Sequence, residues 1–537
     1  MSGILLLVFS SICLVAAYVF YGRFLAEKWG IDPNRKTPAH EFNDNVDYVP
    51  AKRAVVFGHE FATIAGAGPI NGPIIAAMFG WVPVLLWILI GGIFIGALQD
   101  FAAMYASVKN KGRTIGYIIE LYIGKTGKKL FLLFVWLFSI LVIAAFADIV
   151  AGTFNGFAAE NGEKITANAS VATTSILFII AAVGLGFFIR TKPNNILQTS
   201  VALILLVLCV ALGLFFPIFM TQGFWLYFVF VYIFIACVTP VWALLQPRDY
   251  LNSFLLVAMM ICAFAGVIAS NPTINITPFA GFNVNGNYLF PILFVTVACG
   301  AVSGFHTLAA SGTASKQIDN ERDMLPVSFG SMLLECLLAV LALIAVGTLA
   351  VGDKIPNEAP PVIFANAISG FLVEIGLPQN IIYTLITLSI SAFALTSLDS
   401  VARVARLSFQ EFFMSEEKPS LFVKILCNKY LATAATLFMG YLLALRGYKS
   451  IWPLFGSANQ LLAALALIAC AVFLKKTKRS GFMLYIPFGF MLAVTFTALV
   501  MSIFTSNGIQ LLFAVLLLIL GIIVAVKGVG ALRKKEN

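Results

Sequence analysis

The chain has 537 residues, of which 61% are hydrophobic and only 11% are charged, and its formal net charge is +10. Soluble domains have about 25% charged and about 45–50% apolar residues, so this composition excludes a water-soluble fold. We expect an all-α polytopic membrane protein built from helices of about 20 residues. The long apolar runs lack the alternating segments of about ten residues that outer-membrane barrels show, so that class is excluded as well.

Apolar runs separated by short polar connections predict about fifteen transmembrane helices. The first run has no basic n-region and no convincing cleavage site, so we expect a retained span and not a signal peptide. The segment 115–123 is too short to cross a bilayer and is expected to lie along the cytoplasmic interface. The predicted spans are roughly 3–22, 54–78, 81–107, 130–151, 171–189, 196–217, 223–244, 253–270, 288–315, 327–351, 380–408, 427–445, 451–474, 482–504 and 509–529.

Basic residues are distributed unevenly between the two sides of this predicted topology. If the N-terminus is outside the cell, all but four of the 34 Lys and Arg residues fall in cytoplasmic connections and flanks. The exceptions are Lys164, Lys354, Arg446 and Lys449. The positive-inside rule therefore predicts an outside N-terminus and a cytoplasmic C-terminus. This orientation explains the positive charge without a nucleic-acid partner, and membrane lipids are the expected surroundings.

Glycine and proline interrupt the predicted span 54–78 between Ile64 and Pro73. In lipid, such a break is tolerated only against protein or a water-filled cavity, and a broken span with ionisable residues is typical of a substrate path. We expect Asn71 to cap a restarted half-helix, with Pro73 just inside it. The free N–H groups of that half-helix favour an anion such as a substrate carboxylate.

A second interruption lies in the predicted span 223–244, where Thr239 and Pro240 repeat the pattern of a cap followed by proline. The two broken spans are five apart and therefore cross the membrane in opposite directions, as an inverted five-plus-five repeat requires. A solvated kink without a ligand is the alternative interpretation. The predicted organisation is a first span and cytoplasmic loop in 1–53, two five-helix repeats in 54–217 and 223–413, and peripheral helices in 427–537.

Ionisable residues within the predicted spans are candidates for proton coupling. Asp100 and His306 lie deep, where an unpaired charge is costly, so a partner, a cavity or an altered protonation state is expected. A side chain that gains and loses a proton as access alternates would couple transport to a proton gradient. Glu60 and Asp148 lie closer to the interfaces, where a solvated carboxylate costs little.

The candidate site residues come from the two breaks and from polar positions of the deeper spans. Asp399 and Arg403 are four residues apart, which favours a structural ion pair, and Glu335 is a further ionisable residue. Ser311 and Thr313 are candidates for an alternative sodium site beside carbonyl groups of the first break. The candidate proton-coupling residues are His59, Glu60, Asp100 and Asp148. The candidate substrate-binding residues are Gly66, Gly68, Pro69, Asn71, Gly72, Thr239, Pro240, Ser303, His306 and Thr307.

Three motifs that would indicate other functions are incomplete. The glycines between Gly66 and Gly72 are one residue out of the dinucleotide-binding pattern. Lys125 and Thr126 resemble the end of a P-loop, but Ile119 stands where the first glycine is required. His59 and Glu60 begin a zinc-protease pattern whose second histidine is missing. The eight cysteines form no C-x-x-C pair. We therefore expect no cofactor, no metal site and no enzymatic activity.

Several long motifs resemble the carbon starvation protein A (CstA) family from about residue 1 to 500. They are Gly58-His59-Glu60-Phe61, the run from Ala65 to Pro73, Gly80-Trp81-Val82-Pro83, the run from Gly96 to Phe101, the run from Gln246 to Leu251, Ser303-Gly304-Phe305-His306 through Lys316-Gln317, and the run from Leu454 to Gln460. The chain looks shorter than the large enterobacterial members.

This resemblance implies a bacterial inner-membrane protein that is used when preferred carbon sources run out. It implies uptake of peptides or of pyruvate, the latter by proton symport. It also implies a LeuT-like, APC-type fold with an inverted five-plus-five core and discontinuous helices. The hypothesis is therefore a secondary active importer, with a small-molecule substrate and a coupling proton as partners. A sodium-coupled symporter of the same fold and a passive channel or solute sensor are the alternatives.

Overall fold

α-Helices form almost all of the regular structure of this computed structural model, which describes residues 1–44, 48–158, 162–191, 195–240, 244–352, 354–413 and 421–533. The N-terminal helices are α1 (Gly3–Ala16), α2 (Arg23–Trp29), α3 (Pro38–Glu41), α4 (Arg53–Ile64), α5 (Gly68–Ala76), α6 (Trp81–Leu86), α7 (Leu98–Lys109) and α8 (Ile115–Tyr122). The central helices are α9 (Lys125–Phe154), α10 (Thr166–Thr191), α11 (Asn195–Phe215), α12 (Gln222–Val238), α13 (Leu245–Ser270), α14 (Leu289–Val297) and α15 (Gly304–Gly312). The C-terminal helices are α16 (Ser331–Leu349), α17 (Pro360–Val373), α18 (Gln379–Phe413), α19 (Leu421–Leu426), α20 (Lys429–Ala444), α21 (Tyr448–Lys476), α22 (Tyr485–Thr505) and α23 (Ile509–Arg533). Between α13 and α14, the strands β1 (Asn283–Val284) and β2 (Asn287–Tyr288) pair antiparallel.

Twelve helical stretches of the described residues are long and apolar enough to cross a membrane, and one bent helix pair raises that number to 13. This confirms a multi-pass membrane protein. The predicted spans 223–244 and 427–445 correspond to α12 and α20, which have only 17 and 16 residues. A bilayer core requires about 20, so the predicted total of about fifteen spans is not confirmed. The orientation of the termini and the domain boundaries stay predictions.

π-Helical segments lie within three of the membrane-length stretches. They are Ala17–Gly22, Trp87–Ala97 and Leu325–Gly330. The second joins α6 to α7, and the third leads into α16. An extra residue in a turn rotates the side chains that follow, and such segments are frequent at functional sites. The second segment is followed by Asp100 and the third by Glu335.

The described helices cluster into two compact units. Unit 1 contains Met1–Ile4, Ser139–Asn275 and Ile344–Ile451, and unit 2 contains Leu5–Phe138, Ile276–Leu343 and Trp452–Asn537. In unit 1, α10, α11, α13 and α18 enclose an apolar core. Its buried residues are Phe178, Ala182, Leu185, Ala202, Val210, Leu251, Leu255, Leu388 and Ala392.

A buried ion pair joins two helices of unit 1. Arg248 of α13 donates to the carboxylate of Asp399 on α18, and both side chains are at most 1% exposed. The hydroxyl of Tyr232 on α12 donates to the same Asp399 oxygen over 2.8 Å. The predicted pairing of Asp399 with Arg403 is therefore wrong, because a tertiary partner replaces the local one. Arg403 instead donates to backbone carbonyls at the end of α12, including that of Thr239 at 2.5 Å.

The restart predicted at Pro240 would continue into 241–243, which lie outside the described residues, so it stays a prediction. α12 ends at Val238, Thr239 has an extended backbone, and α13 begins at Leu245. Proline disfavours helical geometry in the residue before it, which explains the extended Thr239.

Trp29, at the end of α2, is fully buried in unit 2. Its ring stacks on Phe101 with centroids 5.1 Å apart, and its indole N–H donates to the carbonyl of Ser480 over 3.1 Å. Its own carbonyl accepts a hydrogen bond from the hydroxyl of Tyr105 at 2.7 Å. This one residue therefore connects the end of α2 with α7 and with the segment just before α22.

Charged residues gather at one end of unit 2. The ammonium of Lys109, at the end of α7, lies 2.6 and 2.7 Å from the two carboxylate oxygens of Glu321, which is 1% exposed. The backbone N–H of Asp32 donates to the same carboxylate over 2.9 Å. Arg53, at the start of α4, pairs with Asp323 at 2.5 Å. These contacts place the start of α4, the end of α7 and the segment after α15 at the same end of the unit.

Helices α5 and α14 of unit 2 approach each other closely. A Cβ added to Gly72 would lie 2.4 Å from the carbonyl oxygen of Val297 and 2.7 Å from that of Thr296. A Cβ added to Gly68 would lie 2.6 Å from the Cβ of Cys299. Real Cβ contacts are essentially never this short, so the close approach requires glycine at both positions.

We expect Gly72→Ala to lower the stability of the folded protein by about 1–3 kcal/mol, the usual cost of an overpacked core. The thermal unfolding midpoint of the purified protein in detergent measures this effect. Gly58→Ala is the matched control, because a Cβ at Gly58 meets no atom within 4 Å. Alanine in a helix interior is favoured over glycine by roughly 0.5–1 kcal/mol, so the control should be unchanged or slightly stabilised. Equal midpoints for the two variants would contradict the close packing.

Replacing one partner of the Arg248–Asp399 pair leaves the other buried and uncompensated, which typically costs about 3–5 kcal/mol. We therefore expect Arg248→Met to lower the unfolding midpoint strongly. The double variant Arg248→Met/Asp399→Leu removes both charges and should recover much of that loss. Arg322→Met, at an exposed arginine, serves as the control. A double variant as unstable as the single one would argue against the ion pair.

Candidate binding site at two broken helices

The first broken helix consists of α4 and α5, which meet at Ala65–Ala67 with a bend of 45°. This confirms the interruption predicted in the span 54–78. The half-helix restarts at Gly68, with Pro69 in its first turn, and Ala67 supplies no side-chain cap. The expected cap at Asn71 is therefore wrong, because Pro69, which lacks an N–H, already begins the helix where no bond is lost. Asn71 and Pro73 lie inside α5.

Helices α14 and α15 form a second broken helix. The sequence predicts a continuous span, 288–315, in this region. Ala298–Gly300 forms a 3-10 turn, Ala298 has a positive φ of 39°, and α15 restarts at Gly304. Ser303 precedes α15 with an extended backbone and makes no side-chain cap. The sequence signal was the small-residue run from Ala298 to Gly304. It contains no proline and reads equally well as a helix-packing face.

The two broken helices lie side by side in unit 2 and run in opposite directions. At one end, the N–H of Ala51, just before α4, donates to the carbonyl of Gln317, just after α15, over 3.1 Å. At the other end, the N–H of Ala280, before α14, donates to the carbonyl of Phe79 over 3.0 Å. Between these ends, Pro69 and Pro73 face Gly300. The two breaks therefore adjoin each other.

His306, in the first turn of α15, is fully buried between two carboxylates. Its Nδ1 lies 3.0 Å from Oδ2 of Asp100 on α7, within hydrogen-bonding geometry. Its Nε2 lies 3.2 Å from Oε2 of Glu335 on α16, at ion-pair distance but not aligned as a hydrogen bond. The carboxylates are at most 2% exposed. A partner was expected for each of the two deep residues, and Asp100 and His306 are partners of each other.

Glu60 joins this group from the last turns of α4. It is 1% exposed, and its carboxylate interacts electrostatically with Asp100 and His306. Neither of its carboxylate oxygens has a hydrogen-bond partner among the described residues. Three carboxyl groups and one imidazole thus share a buried space beside both breaks. We call Glu60, Asp100, His306 and Glu335 the acidic–histidine cluster.

Amide side chains support the start of α15. The amide N–H of Gln99 donates to the Ser303 carbonyl and to the Thr307 hydroxyl, both at 2.7 Å. The carbonyl oxygen of the Asn459 amide accepts from the N–H of Phe305 over 3.2 Å, and its nitrogen donates to the Ser303 hydroxyl over 3.1 Å. These bonds occupy the side chains of Ser303 and Thr307. They fix the position of His306 between its two carboxylates.

The polar side chain of Asn71 has no such support. It is fully buried, and neither atom of its amide has a hydrogen-bond partner among the described residues. It lies between Pro69 and Gly72 in the sequence of α5, and these two residues contact the second broken helix. A buried amide without a partner costs roughly 1–3 kcal/mol, and this marks Asn71 as a group available to a ligand.

The remaining candidate residues are distributed as follows. Four candidates are buried at or just after the first break: Gly66, Gly68, Pro69 and Gly72. His59 is half-buried, one residue before Glu60.

Three other candidates belong to unit 1 and not to the unit that holds the cluster: Asp148, Thr239 and Pro240. Asp148 accepts hydrogen bonds from the Gln222 amide at 2.8 Å and from the Tyr448 N–H at 2.7 Å. Both of its oxygens are thus occupied, which is typical of a structural carboxylate.

The candidate sodium ligands make ordinary helical bonds. The hydroxyl of Ser311 donates to the Thr307 carbonyl over 2.6 Å and accepts from the N–H of Ile115 over 3.1 Å. The hydroxyl of Thr313 donates to the Ala309 carbonyl over 3.0 Å. Within the described part of the chain, no group of three or more His, Cys, Asp and Glu is arranged to hold a metal ion.

The sequence comparisons with known proteins all indicate the same family. A sequence model of the family described as "Carbon starvation protein CstA" matches residues 2–360 and 350–498. The chain is 33% identical to the "Peptide transporter CstA" of Bacillus subtilis, with 88% of this chain and 85% of the relative aligned. It is 30% identical to the "Pyruvate/proton symporter BtsT" of Escherichia coli, with 94% and 82% aligned. Among solved structures, a manganese transporter of Eremococcus coleocola matches with a TM-score of 0.48 at 12% identity, covering 91% of this chain and 99% of that one.

Proposed function

Because this chain belongs to the carbon starvation protein CstA family, we propose that it is a secondary active importer of short peptides or pyruvate, driven by proton symport. Its relatives are named as transporters of these substrates. The observation that carries the proposal is His306, buried between Asp100 and Glu335 beside two broken helices. We place the protein in the bacterial cytoplasmic membrane, where it would serve during carbon starvation.

The two breaks support a site for the substrate carboxylate. The first N–H groups of α5 and α15 have no partners within their own helices, and the helix dipoles favour an anion there. Broken helices whose half-helix N-termini face an anionic group recur in transporter sites. The unpartnered amide of Asn71 supplies a further donor next to the start of α5. A carboxylate is common to pyruvate and to peptides, so this site suits both.

The antiparallel arrangement of the two broken helices supports an inverted repeat, but with a different second half from the one that the sequence suggested. The partner of the α4–α5 helix is the α14–α15 helix, not the interruption at Thr239. Each broken helix is followed directly by a membrane-length stretch, Trp81–Lys109 or Glu321–Leu349. We propose these two pairs as the beginnings of the two repeats.

The acidic–histidine cluster supports proton coupling over sodium coupling. A buried imidazole with adjacent carboxylates gains and loses protons readily, and intramembrane Asp, Glu and His form the relays of proton-driven transporters. The candidate sodium ligands Ser311 and Thr313 already have partners within or beside their own helix. No observation specifically favours a channel or a sensor.

Uptake of labelled pyruvate and of labelled di- and tripeptides into proteoliposomes tests this proposal. With an imposed inward proton gradient, we expect saturable accumulation of at least one substrate above its outside concentration. Replacing sodium by choline should change nothing. Absence of gradient-stimulated uptake for every substrate would contradict the proposal, and uptake that never exceeds equilibration would favour a channel.

His306→Ala and Asp100→Asn probe the cluster in the same assay. Each removes one side of the 3.0 Å contact between the two residues, and each should lower gradient-driven uptake at least tenfold. Arg322→Met, whose side chain is exposed, should transport like the unmodified protein. If both cluster variants accumulate substrate normally, these side chains have no part in coupling.

A further inference from the structure

Glu335 has a buried carboxyl group and is not among the predicted proton-coupling residues. It faces the Nε2 side of His306, opposite Asp100, and is 0% exposed. Its neighbours that can titrate are His306, Asp100 and the thiol of the adjacent Cys336. Its position on α16 follows directly after a π-helical segment. The carboxyl therefore lies where it can exchange a proton with the imidazole.

The carboxyl groups around His306 differ in their hydrogen bonding. Asp100 is in hydrogen-bonding contact with Nδ1 of His306. Glu335 and Glu60 have no hydrogen-bond partner among the described residues, although both are buried. A carboxyl group without hydrogen-bond donors in an apolar surrounding is very costly to ionise, so it keeps its proton. Asp100 is thus suited to remain the anion that orients the imidazole, and the two glutamates are suited to hold protons.

Charge balance leads to the same division of roles. Among the described residues, no Lys or Arg lies within ion-pair distance of Glu60, Asp100, His306 or Glu335. With His306 neutral and both glutamates protonated, the only charge that the cluster carries is that of Asp100. Protons therefore supply the compensation that basic side chains supply elsewhere in the protein.

The four groups also differ in depth. Arg53, Lys109 and Glu321 lie at one end of unit 2. At 1.5 Å per helical residue, Glu60 is about 10 Å from that end, Asp100 about 13 Å and Glu335 roughly 20 Å. The cluster therefore forms a graded series, with a donor-free carboxyl at each end and the hydrogen-bonded Asp100–His306 pair between them.

We propose that Glu335 carries the coupling proton, and that this proton passes between Glu335 and Glu60 through His306 and Asp100. This inference rests on the proposed function as a proton symporter. In the forward step, the Glu335 carboxyl gives its proton to Nε2 of His306 while Nδ1 releases its own proton to Asp100. Asp100 then passes that proton through an intervening water to Glu60, which has first released its own proton; the two carboxyl groups are not themselves in hydrogen-bonding contact. The imidazole stays neutral by exchanging tautomers, and Asp100 returns to its ionised form.

Two measurements on Glu335→Gln in proteoliposomes test this role. The first is accumulation driven by a proton gradient, and the second is exchange of labelled for unlabelled substrate at equal pH. Glutamine imitates the protonated carboxyl, so the loaded carrier still forms and exchanges substrate. It cannot release a proton, so the empty carrier does not return. We expect gradient-driven accumulation to fall at least tenfold, with exchange within about threefold of the unmodified protein.

Glu120→Gln is the matched control, because Glu120 is a partly exposed glutamate on α8 that pairs with Lys128 at 2.8 Å. It should leave both measurements unchanged. Gradient-driven accumulation by Glu335→Gln at the unmodified level would overturn the proposal. Equal loss of accumulation and exchange in a protein that still elutes as a folded species would overturn it too, since that result assigns Glu335 a structural role.

Glu335→Asp keeps the test decisive if Glu335→Gln does not fold. It retains a carboxyl but withdraws it from His306, so gradient-driven uptake should persist with an altered pH profile. An unaltered profile would overturn the proposal. If the unmodified protein exchanges substrate but never responds to a proton gradient, the proposed proton symport fails, and that outcome is separate from any result on Glu335.

Discussion

A helix that is interrupted inside a membrane leaves backbone N–H and C=O groups without partners, and lipid offers none. Unit 2 meets this constraint by placing its two interruptions against each other. Gly68 and Gly72 allow α5 to approach the α14 backbone, while Pro69 and Pro73 face Gly300. Each break is thereby covered by protein. The location of the acidic–histidine cluster follows from that arrangement.

The two units neutralise their buried charges by different means. In unit 1, the carboxylate of Asp399 is matched by the guanidinium of Arg248, which keeps its proton under all physiological conditions. In unit 2, the carboxyl groups of Asp100 and Glu335 lie on either side of an imidazole instead. A histidine can lose its charge near neutral pH. The first arrangement is therefore permanent and suits a scaffold, whereas the charge of the second can change.

The sequence predicted features that depend on local chemistry and missed those that depend on tertiary packing. Glycine and proline made the break near Gly68 visible, whereas the break near Gly300 contains only small residues. Asp399 and Arg403 fitted a local helical pair, but a more distant partner bonds Asp399 in the folded chain. Asp100 and Glu60 were recognised as ionisable residues of interest. The contact between Asp100 and His306 joins positions 206 apart in sequence, which no local pattern encodes.

The burial of Trp29 has a consequence for biosynthesis. Its indole bonds to Ser480, which is 451 positions further along the chain, so its binding pocket does not exist until almost the whole protein has been made. Unit 2 likewise draws its last segment from Trp452–Asn537. Asp100, in one of the early helices, has no partner until His306 has been made. A nascent chain released before residue 452 would therefore lack part of the core of this unit.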